Sequence, residues 1–233
     1  MPRPSPAPAP ARAALVLDLF IDLLGAALAP PRCAACDAPA LRLAVFCGAC
    51  AATAERADAP PEAPPGQAGP HLAALVYGGA VARALVRFKY ERRPDLARPL
   101  GDLLWSAVAP HAIALRGAVV VPVPLHPARL AERGYNQSAL LASRVASRLG
   151  AACRALALAR VHDTPQQATL DRAGRLENVA GAFRVRTPRA ITGRRVLLID
   201  DVRTTGSTLR AATAELLAAG ALAVHTAVLA AAE

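Results

Sequence analysis

Two adjacent carboxylates followed by a run of hydroxyl groups mark the segment VLLIDDVRTTGST, residues 196–208. Asp200 and Asp201 close an apolar stretch, at the carboxyl end of a predicted buried strand, where open parallel sheets bind ligands. A helix predicted to begin near Ser207 adds free N–H groups and the positive end of its dipole. The candidate phosphate-binding residues are Thr204, Thr205, Gly206, Ser207 and Thr208. The hydroxyl and N–H groups can donate hydrogen bonds to a phosphate, and the two acids can accept hydrogen bonds from the vicinal hydroxyls of a sugar. Together they predict a ribose 5-phosphate site.

A simpler interpretation of this segment is a strand that ends in an Asp-rich turn with a Ser or Thr helix cap. That interpretation accounts for one acid and one hydroxyl, but not for the whole run. A Walker A loop is excluded because the segment lacks the G-K-[ST] sequence.

Four of the five cysteines follow the spacing C-x2-C, ten residues, C-x2-C. They are Cys33, Cys36, Cys47 and Cys50. In a reducing compartment this spacing predicts a tetrahedral zinc site with a structural role, because four thiolates leave no open position on the ion. A pair of redox dithiols is the alternative. Cys153 is predicted to be a small buried apolar residue.

Strand and helix patterns alternate along the rest of the chain. Strands are predicted in HLAALVYGG, AVVVPVP (118–124), ALALA, residues 196–199 and LAVHTAVLA. Helices are predicted in AVARALVRFKYERR, LARPLGDLLWSAVAPHA, residues 136–149, LENVAGAF and from Ser207 onward. This alternation predicts an α/β fold with a mostly parallel sheet flanked by helices.

The composition allows a sizeable core, since 54% of the 233 residues are hydrophobic. The 27 basic residues exceed the 17 acidic ones and favour anionic partners, but they include a single lysine, Lys89. Such a bias towards arginine weakens any argument for nucleic acid from charge alone. Asp18 and Asp22 interrupt the apolar segment near the N-terminus. They favour an amphipathic helix over a membrane anchor, so we expect no membrane insertion and a cytoplasmic location.

These patterns divide the chain into four parts. We expect residues 1–30 to form a disordered Pro/Ala tail and an amphipathic helix, and residues 31–51 to form a four-cysteine zinc ribbon. Residues 52–70 form a Pro/Ala linker, which proline stiffens. Residues 71–233 form the α/β domain.

Several segments together resemble the ComF family of competence-associated proteins, which join a zinc ribbon to a type I phosphoribosyltransferase domain. The segments are DLLGAALAPPRCAAC, FKYERRPDLARPLG, VPVPLHPARLAERGYNQSALLA, TPQQATLDRAGRLENVAGAF and VLLIDDVRTTGST. The last of them resembles the family's motif for 5-phosphoribosyl 1-pyrophosphate (PRPP). The resemblance implies that Asp200 and Asp201 hold the ribose hydroxyls, that residues 204–208 hold the 5-phosphate, and that Mg2+ accompanies PRPP.

The segment after the 118–124 strand resembles the pyrophosphate loop of this fold. Arg129 and Arg133 are the candidates for pyrophosphate contacts, and a solvated helix face is the alternative for both. Tyr135, Asn136 and Gln137 would shape the start of the next helix. His126, between two prolines, is predicted to be structural.

Residues 160–179 resemble the loop that covers PRPP, and an ordinary exposed loop is the alternative. Its candidate residues are Thr164, Gln167, Arg172 and Asn178. The candidate catalytic residues of the whole site are Asp200, Asp201, Lys89, Arg133 and Arg172. Lys89 is a candidate for a cation near the phosphates; a surface lysine whose stem covers apolar surface is the alternative.

Three functions are compatible with this resemblance. The first is Mg-dependent glycosyl transfer from PRPP to an unknown acceptor, linked to competence, DNA uptake or nucleotide salvage. The second is a PRPP sensor without turnover, and the third is a competence factor associated with single-stranded DNA. The few aromatic residues disfavour the third, since Trp105 is predicted to lie in the core. Residues 76–91 and the ribbon would form the acceptor pocket.

Overall fold

A four-stranded parallel sheet forms the centre of the molecule. The structure, a computed structural model, describes residues 31–58, 71–162 and 181–232. The strands are β1 (His71–Val76), β2 (Val119–Pro122), β5 (Arg195–Arg203) and β6 (Ala223–Ala231), in the order β1-β6-β5-β2. Short strands β3 (Leu158–Arg160) and β4 (Phe183–Val185) form a separate antiparallel pair. The predicted N-terminal helix and residues 59–70 of the predicted linker lie outside the described residues.

Helices cover both faces of the sheet. The α-helices of the described residues are α1 (Gly48–Ala51), α2 (Gly79–Tyr90), α3 (Ala97–Val108), α4 (Pro127–Arg133), α5 (Gln137–Leu149) and α6 (Ser207–Ala218), of which α2, α3, α5 and α6 contribute to the cores beside the sheet. On β5, Leu197 and Ile199 belong to the core that contains α2, α3 and α5, whereas Val196 and Leu198 belong to the core under α6. This alternation is that of a strand buried on both faces. The predicted α/β fold with a mostly parallel sheet is confirmed.

The structure corrects two boundaries. The strand predicted to stop at Ile199 continues through both acids to Arg203, because β6 pairs with it as far as Arg203↔Ala231. On its other side β5 pairs with β2 only up to Pro122↔Ile199, so the acids begin where β2 ends. The helix predicted through LENVAGAF does not include Phe183, which opens β4; residues 176–180 are outside the described part.

The segment after the cysteines is joined to β1. The Ala57 N–H donates to the Ala74 carbonyl, and the Val76 N–H donates to the Glu55 carbonyl. A short antiparallel bridge, Arg56↔Leu75, lies between these two bonds. Residues 55–57 therefore cover the outer edge of β1. None of the described helices is both long and apolar enough to cross a bilayer.

Helices α3 and α5 meet at a glycine. A β-carbon on Gly101 would lie 2.7 Å from both Cβ and Cγ of Arg144. The Arg144 side chain, held against α3 in this way, donates two hydrogen bonds to Asp102 at 2.9 and 2.8 Å. Arg148, one turn further along α5, binds the same carboxylate. The small residue lets the two backbones approach and lets this ion pair form.

We therefore expect Gly101→Val to destabilise the protein by about 1–3 kcal/mol, the usual effect of overpacking a close helix contact. Urea unfolding followed by circular dichroism measures the change. Ser106→Val, at an exposed position of the same helix, is the control for β-branching and should cost about 0.5 kcal/mol or less. Equal stabilities of the two variants would contradict the packing argument.

Candidate functional site

The two acids lie beside each other at the end of the sheet and are nearly inaccessible. Asp200 is 9% exposed and Asp201 is 8% exposed. The Lys89 Nζ, near the end of α2, lies 2.8 Å from Asp201 Oδ2. The Ser138 hydroxyl, in the first turn of α5, donates to Asp200 Oδ1 at 2.8 Å, and the Asp201 N–H donates to the same oxygen at 2.9 Å. Each carboxylate is therefore held by a different helix.

Burial and mutual repulsion control the charge of this pair. Burial, followed by the negative charge of Asp201, raises the pKa of Asp200 to about 7, although the bonds from Ser138 and the Asp201 N–H favour the ionised form. Burial alone would lower the pKa of Lys89, but its ion pair with Asp201 outweighs this effect and raises it. Near neutral pH the site therefore contains one ammonium and an acid close to its titration point.

The hydroxyl-rich loop turns sharply between β5 and α6. Gly206 adopts φ = 74°, a conformation that favours glycine, and it is the residue that precedes the first turn of α6. Thr205 Oγ1 and Ser207 Oγ lie 3.2 Å apart, and the Ser207 N–H donates to Thr205 Oγ1 at 3.4 Å. Arg210 donates to the Thr205 carbonyl at 2.8 Å. The loop thus brings hydroxyl groups, the first turn of α6 and the Arg210 side chain together, four residues beyond the acids.

A second loop leaves β2 at the same edge of the sheet. Arg133, the last residue of α4, donates to Gln137 Oε1 at 3.0 Å, and its guanidinium lies 4.9 Å from the centre of the Tyr90 ring. The Gln137 side chain is 1% exposed, and its Nε2 has no hydrogen-bond partner within the described residues. A buried amide donor without a partner is costly in a closed protein, so it is suited to bind a ligand acceptor.

Two further residues fix the start of α5. The Asn136 side chain accepts a bond from the Ser138 N–H at 3.0 Å and donates to the Val123 carbonyl at 3.0 Å. The Tyr135 hydroxyl donates to the Phe88 carbonyl, one residue before Lys89. The expectation that these residues shape the helix start agrees with the structure. The His126 side chain caps α4 by accepting a bond from the Ala128 N–H, in agreement with a structural role.

The structure thus brings the acids, Lys89 and the hydroxyl loop to one edge of the sheet. Arg133 is next to Tyr90, which follows Lys89, while Arg129 lies one turn earlier on α4. The predicted covering loop, with Thr164, Gln167, Arg172 and Asn178, lies outside the described residues. Sequence reasoning missed Ser138 and Arg210. The only sequence signal for Ser138 was its place in the first turn of a helix that begins at this edge.

The four cysteines form a compact cluster. Their sulfur atoms all lie within 4.8 Å of one another. Burial favours a raised pKa for Cys33, but hydrogen bonds from backbone N–H groups outweigh burial and lower the pKa to about 6. For Cys50, burial raises the pKa to about 12. Four thiols this close cannot all ionise without a cation between them. The donor set and its spacing fit one tetrahedral metal ion.

This cysteine cluster is fastened to α2. Arg87 donates to the carbonyls of Cys33 and Ala34 and to the Asp37 carboxylate, the last at 2.7 Å. Arg83 lies 3.6 Å from Cys50 Sγ, and the Thr53 hydroxyl accepts a bond from the Ala80 N–H at the start of the helix. The helix that carries Lys89 therefore has the cysteine cluster on one side and the acid pair at its end.

Comparisons with known proteins agree with this architecture. The family described as "Phosphoribosyl transferase domain" matches residues 136–233. DNA utilization protein YhgH of Salmonella typhimurium is 32% identical over 83% of this chain and 81% of its own length. YhgH of Escherichia coli is 34% identical over 64% of this chain and 66% of its own. Competence protein F of Haemophilus influenzae is 37% identical over 53% of this chain and 56% of its own.

Among solved structures, an allosteric regulatory enzyme of purine biosynthesis is 22% identical, with a TM-score of 0.43 over 61% of this chain and 29% of the other. The family match over residues 136–233, together with the relatives, shows that this chain contains a phosphoribosyltransferase domain. The chain belongs to the family of YhgH and competence protein F, and the resemblance to ComF is confirmed.

The acid pair makes stability depend on pH. Asp200 has a pKa of about 7 in the folded protein and about 4 when unfolded, so the native state binds the proton more tightly and loses stability as pH rises from 4 to 7. Asn keeps the acceptor for Ser138 but cannot titrate. Between pH 5 and pH 8, the unfolding free energy of the wild type should therefore fall by about 2 kcal/mol more than that of Asp200→Asn. Urea unfolding at both values measures this difference, and parallel pH profiles would contradict the assignment.

The cysteine cluster predicts a metal-dependent stability. Cys47→Ser removes one of four ligands and should abolish the single bound ion, which elemental analysis measures. Since metal binding contributes to folding, the variant should lose at least about 2 kcal/mol of unfolding free energy. Cys153→Ser is the matched control and should keep the metal and the stability of wild type. A Cys47→Ser protein that retains one ion per chain would disprove the four-thiolate site.

Proposed function

We propose that this chain binds PRPP at the edge of the sheet defined by the acid pair. One observation carries the proposal: two buried acids are followed within four residues by a turn of hydroxyls and helix N–H groups. Asp200 and Asp201 would accept hydrogen bonds from the ribose hydroxyls, and residues 204–208 would hold the 5-phosphate. Arg210, at the first turn of α6, adds a positive charge beside that phosphate.

The side of the acid pair that carries Lys89, away from the hydroxyl loop, would bind the pyrophosphate. Lys89 lies 2.8 Å from Asp201, whereas Arg133 ends α4 and Gln137, with its unpartnered Nε2, begins α5 in the segment that follows β2. Their positive charges and free donor would stabilise the charge that accumulates on a leaving pyrophosphate. A bound Mg2+ would neutralise part of the same charge. Arg129 and Arg172 stay candidates for further contacts with this group.

The reaction that such a site supports is a glycosyl transfer. The bond between C1 of the ribose and pyrophosphate breaks, pyrophosphate leaves with the electron pair, and an acceptor forms a new bond to C1. The sugar gains oxocarbenium character, which nearby carboxylates stabilise. The titration of Asp200 near neutral pH makes the charge of the pocket sensitive to a bound cation. The acceptor is a nucleophile that enters from the side of α2 and the cysteine cluster.

The relatives supply the biological setting of the proposal. Their names refer to DNA utilization and to competence. We propose that the present chain acts in the same setting, on nucleotides or their precursors. We further propose that residues 31–51 form a zinc ribbon with a structural role, and that residues 71–233 form the phosphoribosyltransferase domain. Arg87 supports this role for the ribbon, because it joins the ribbon to the helix that carries Lys89.

The double variant Asp200→Asn/Asp201→Asn should lose binding of PRPP by at least tenfold, because both acceptors for the ribose hydroxyls lose their charge. Isothermal titration calorimetry with PRPP and Mg2+ measures this loss, and the metal content of the cysteine cluster should not change. Glu55→Gln/Asp58→Asn removes two exposed acids and is the control for net charge. Equal PRPP affinity of wild type and the Asp200/Asp201 variant would refute the site.

Pyrophosphate release then separates an enzyme from a sensor. The wild-type protein is incubated with PRPP, Mg2+ and a panel of nucleobases, and pyrophosphate is measured over time. Release that depends on one base identifies the acceptor. Binding of PRPP without release in the presence of any base would support a sensor and would contradict the proposed transfer.

A further inference from the structure

A cavity of about 460 Å³ lies at the edge of the sheet opposite the acid pair. Its walls come from Trp105 of α3, the turn at 112–118, the start of β2, the end of α5 with the turn at 150–152, and Arg194. Gly117 and Gly150 adopt φ values of 77° and 65°, and a β-carbon on either would meet no atom within 4 Å. The volume is within the range of small-molecule sites in proteins.

Three arginines line this cavity, and no acid does. They are Arg116, Arg148 and Arg194. Arg148 shares the Asp102 carboxylate with Arg144, whereas Arg116 and Arg194 have no ion pair or hydrogen bond to a side chain within the described residues. Arg116 and Arg194 are exposed, so both guanidinium groups are accessible to a ligand from solvent. A cavity with unpaired guanidinium groups and no carboxylate favours an anionic ligand, and a phosphate above all.

The same cavity has an aromatic wall. The sequence predicted Trp105 to lie in the core, but it is only half-buried and lines the cavity. Ile113, on the facing turn, is 86% exposed. An indole together with arginine side chains is the combination on which proteins stack nucleobases while they hold the adjoining phosphates.

The positive potential extends beyond the cavity along this edge. His225 lies on β6 beside Leu197 of β5. Burial lowers the pKa of His225, and the positive charges of Arg195 and His111 lower it further. The negative end of the α5 dipole would repel an anion. The Ala151 N–H donates to the Ala146 carbonyl and so neutralises part of this negative charge.

We propose that this cavity is a second binding site, separate from the acid pair, and that its ligand is a nucleotide. The phosphate would lie on Arg116 and Arg194, and the base would stack on Trp105. The nucleotide is either a free mononucleotide or one unit of a single DNA strand, since both present the same phosphate and base. Arginine content alone does not explain the arrangement, because it would not bring the single tryptophan of the chain into the lining of the same cavity.

Trp105 makes the proposal directly measurable, since it is the only tryptophan in the chain. Full-length protein is titrated with deoxythymidine monophosphate and, separately, with an oligonucleotide of ten deoxythymidines, while tryptophan emission is recorded. We expect saturable quenching by at least one of the two ligands. Saturation by the mononucleotide identifies a free nucleotide as the ligand, and quenching by the oligonucleotide alone identifies a strand.

The variant Arg116→Glu/Arg194→Glu should weaken this binding by at least tenfold. Arg184→Glu/Arg189→Glu changes the net charge equally at exposed positions outside the cavity and should change the affinity less than threefold. Asp200→Asn/Asp201→Asn should leave the quenching intact, whether or not it binds PRPP.

Three results would overturn the proposal. The first is unchanged emission with both ligands at millimolar concentration. The second is equal weakening in the two arginine variants, which would indicate attraction by net charge alone. The third is loss of quenching in Asp200→Asn/Asp201→Asn, which would place the nucleotide at the acid pair.

Discussion

The burial of two neighbouring carboxylates at the end of β5 is the constraint on which the rest of the structure depends. Two like charges on consecutive buried residues are unfavourable unless other groups compensate. The compensation comes from Lys89 at the end of α2 and from Ser138 at the start of α5. Both helices must therefore end or begin within a narrow distance of the strand, and each has contacts that fix its position.

The position of α2 depends on contacts with the cysteine cluster as well as on contacts with the sheet. Arg87 donates hydrogen bonds to the carbonyl groups of Cys33 and Ala34, and its side chain is only 11% exposed. Asp37, which accepts bonds from Arg87 and Arg93, has a positive φ of 61°, a conformation that aspartate tolerates better than most residues. The cysteine cluster is thus part of the support of Lys89, although it is distant in sequence from the acid pair.

The sequence was sufficient for those features that depend on local pattern. Helix α5 spans Gln137–Leu149, close to the predicted helix at 136–149, and the four cysteines cluster as their spacing indicates. The sequence was not sufficient where a segment distant along the chain determines the local structure. The strand β5 continues through Asp200 and Asp201 because β6 supplies hydrogen bonds there. The half-burial of Trp105 and the bond from Ser138 to Asp200 likewise depend on segments that meet only in the folded chain.

The strand order has a consequence for biosynthesis. Strand β6, the last of the four to be translated, occupies an interior place between β1 and β5. On the ribosome, β1 waits without its sheet neighbour while some 150 residues are added, a separation of the kind that slows folding. In the folded protein the short segment at 55–57 bonds to the edge of β1 that faces away from β6, which protects that edge from association with a foreign strand. The edge of the sheet that carries the acid pair can therefore be completed only after β6 has been synthesised.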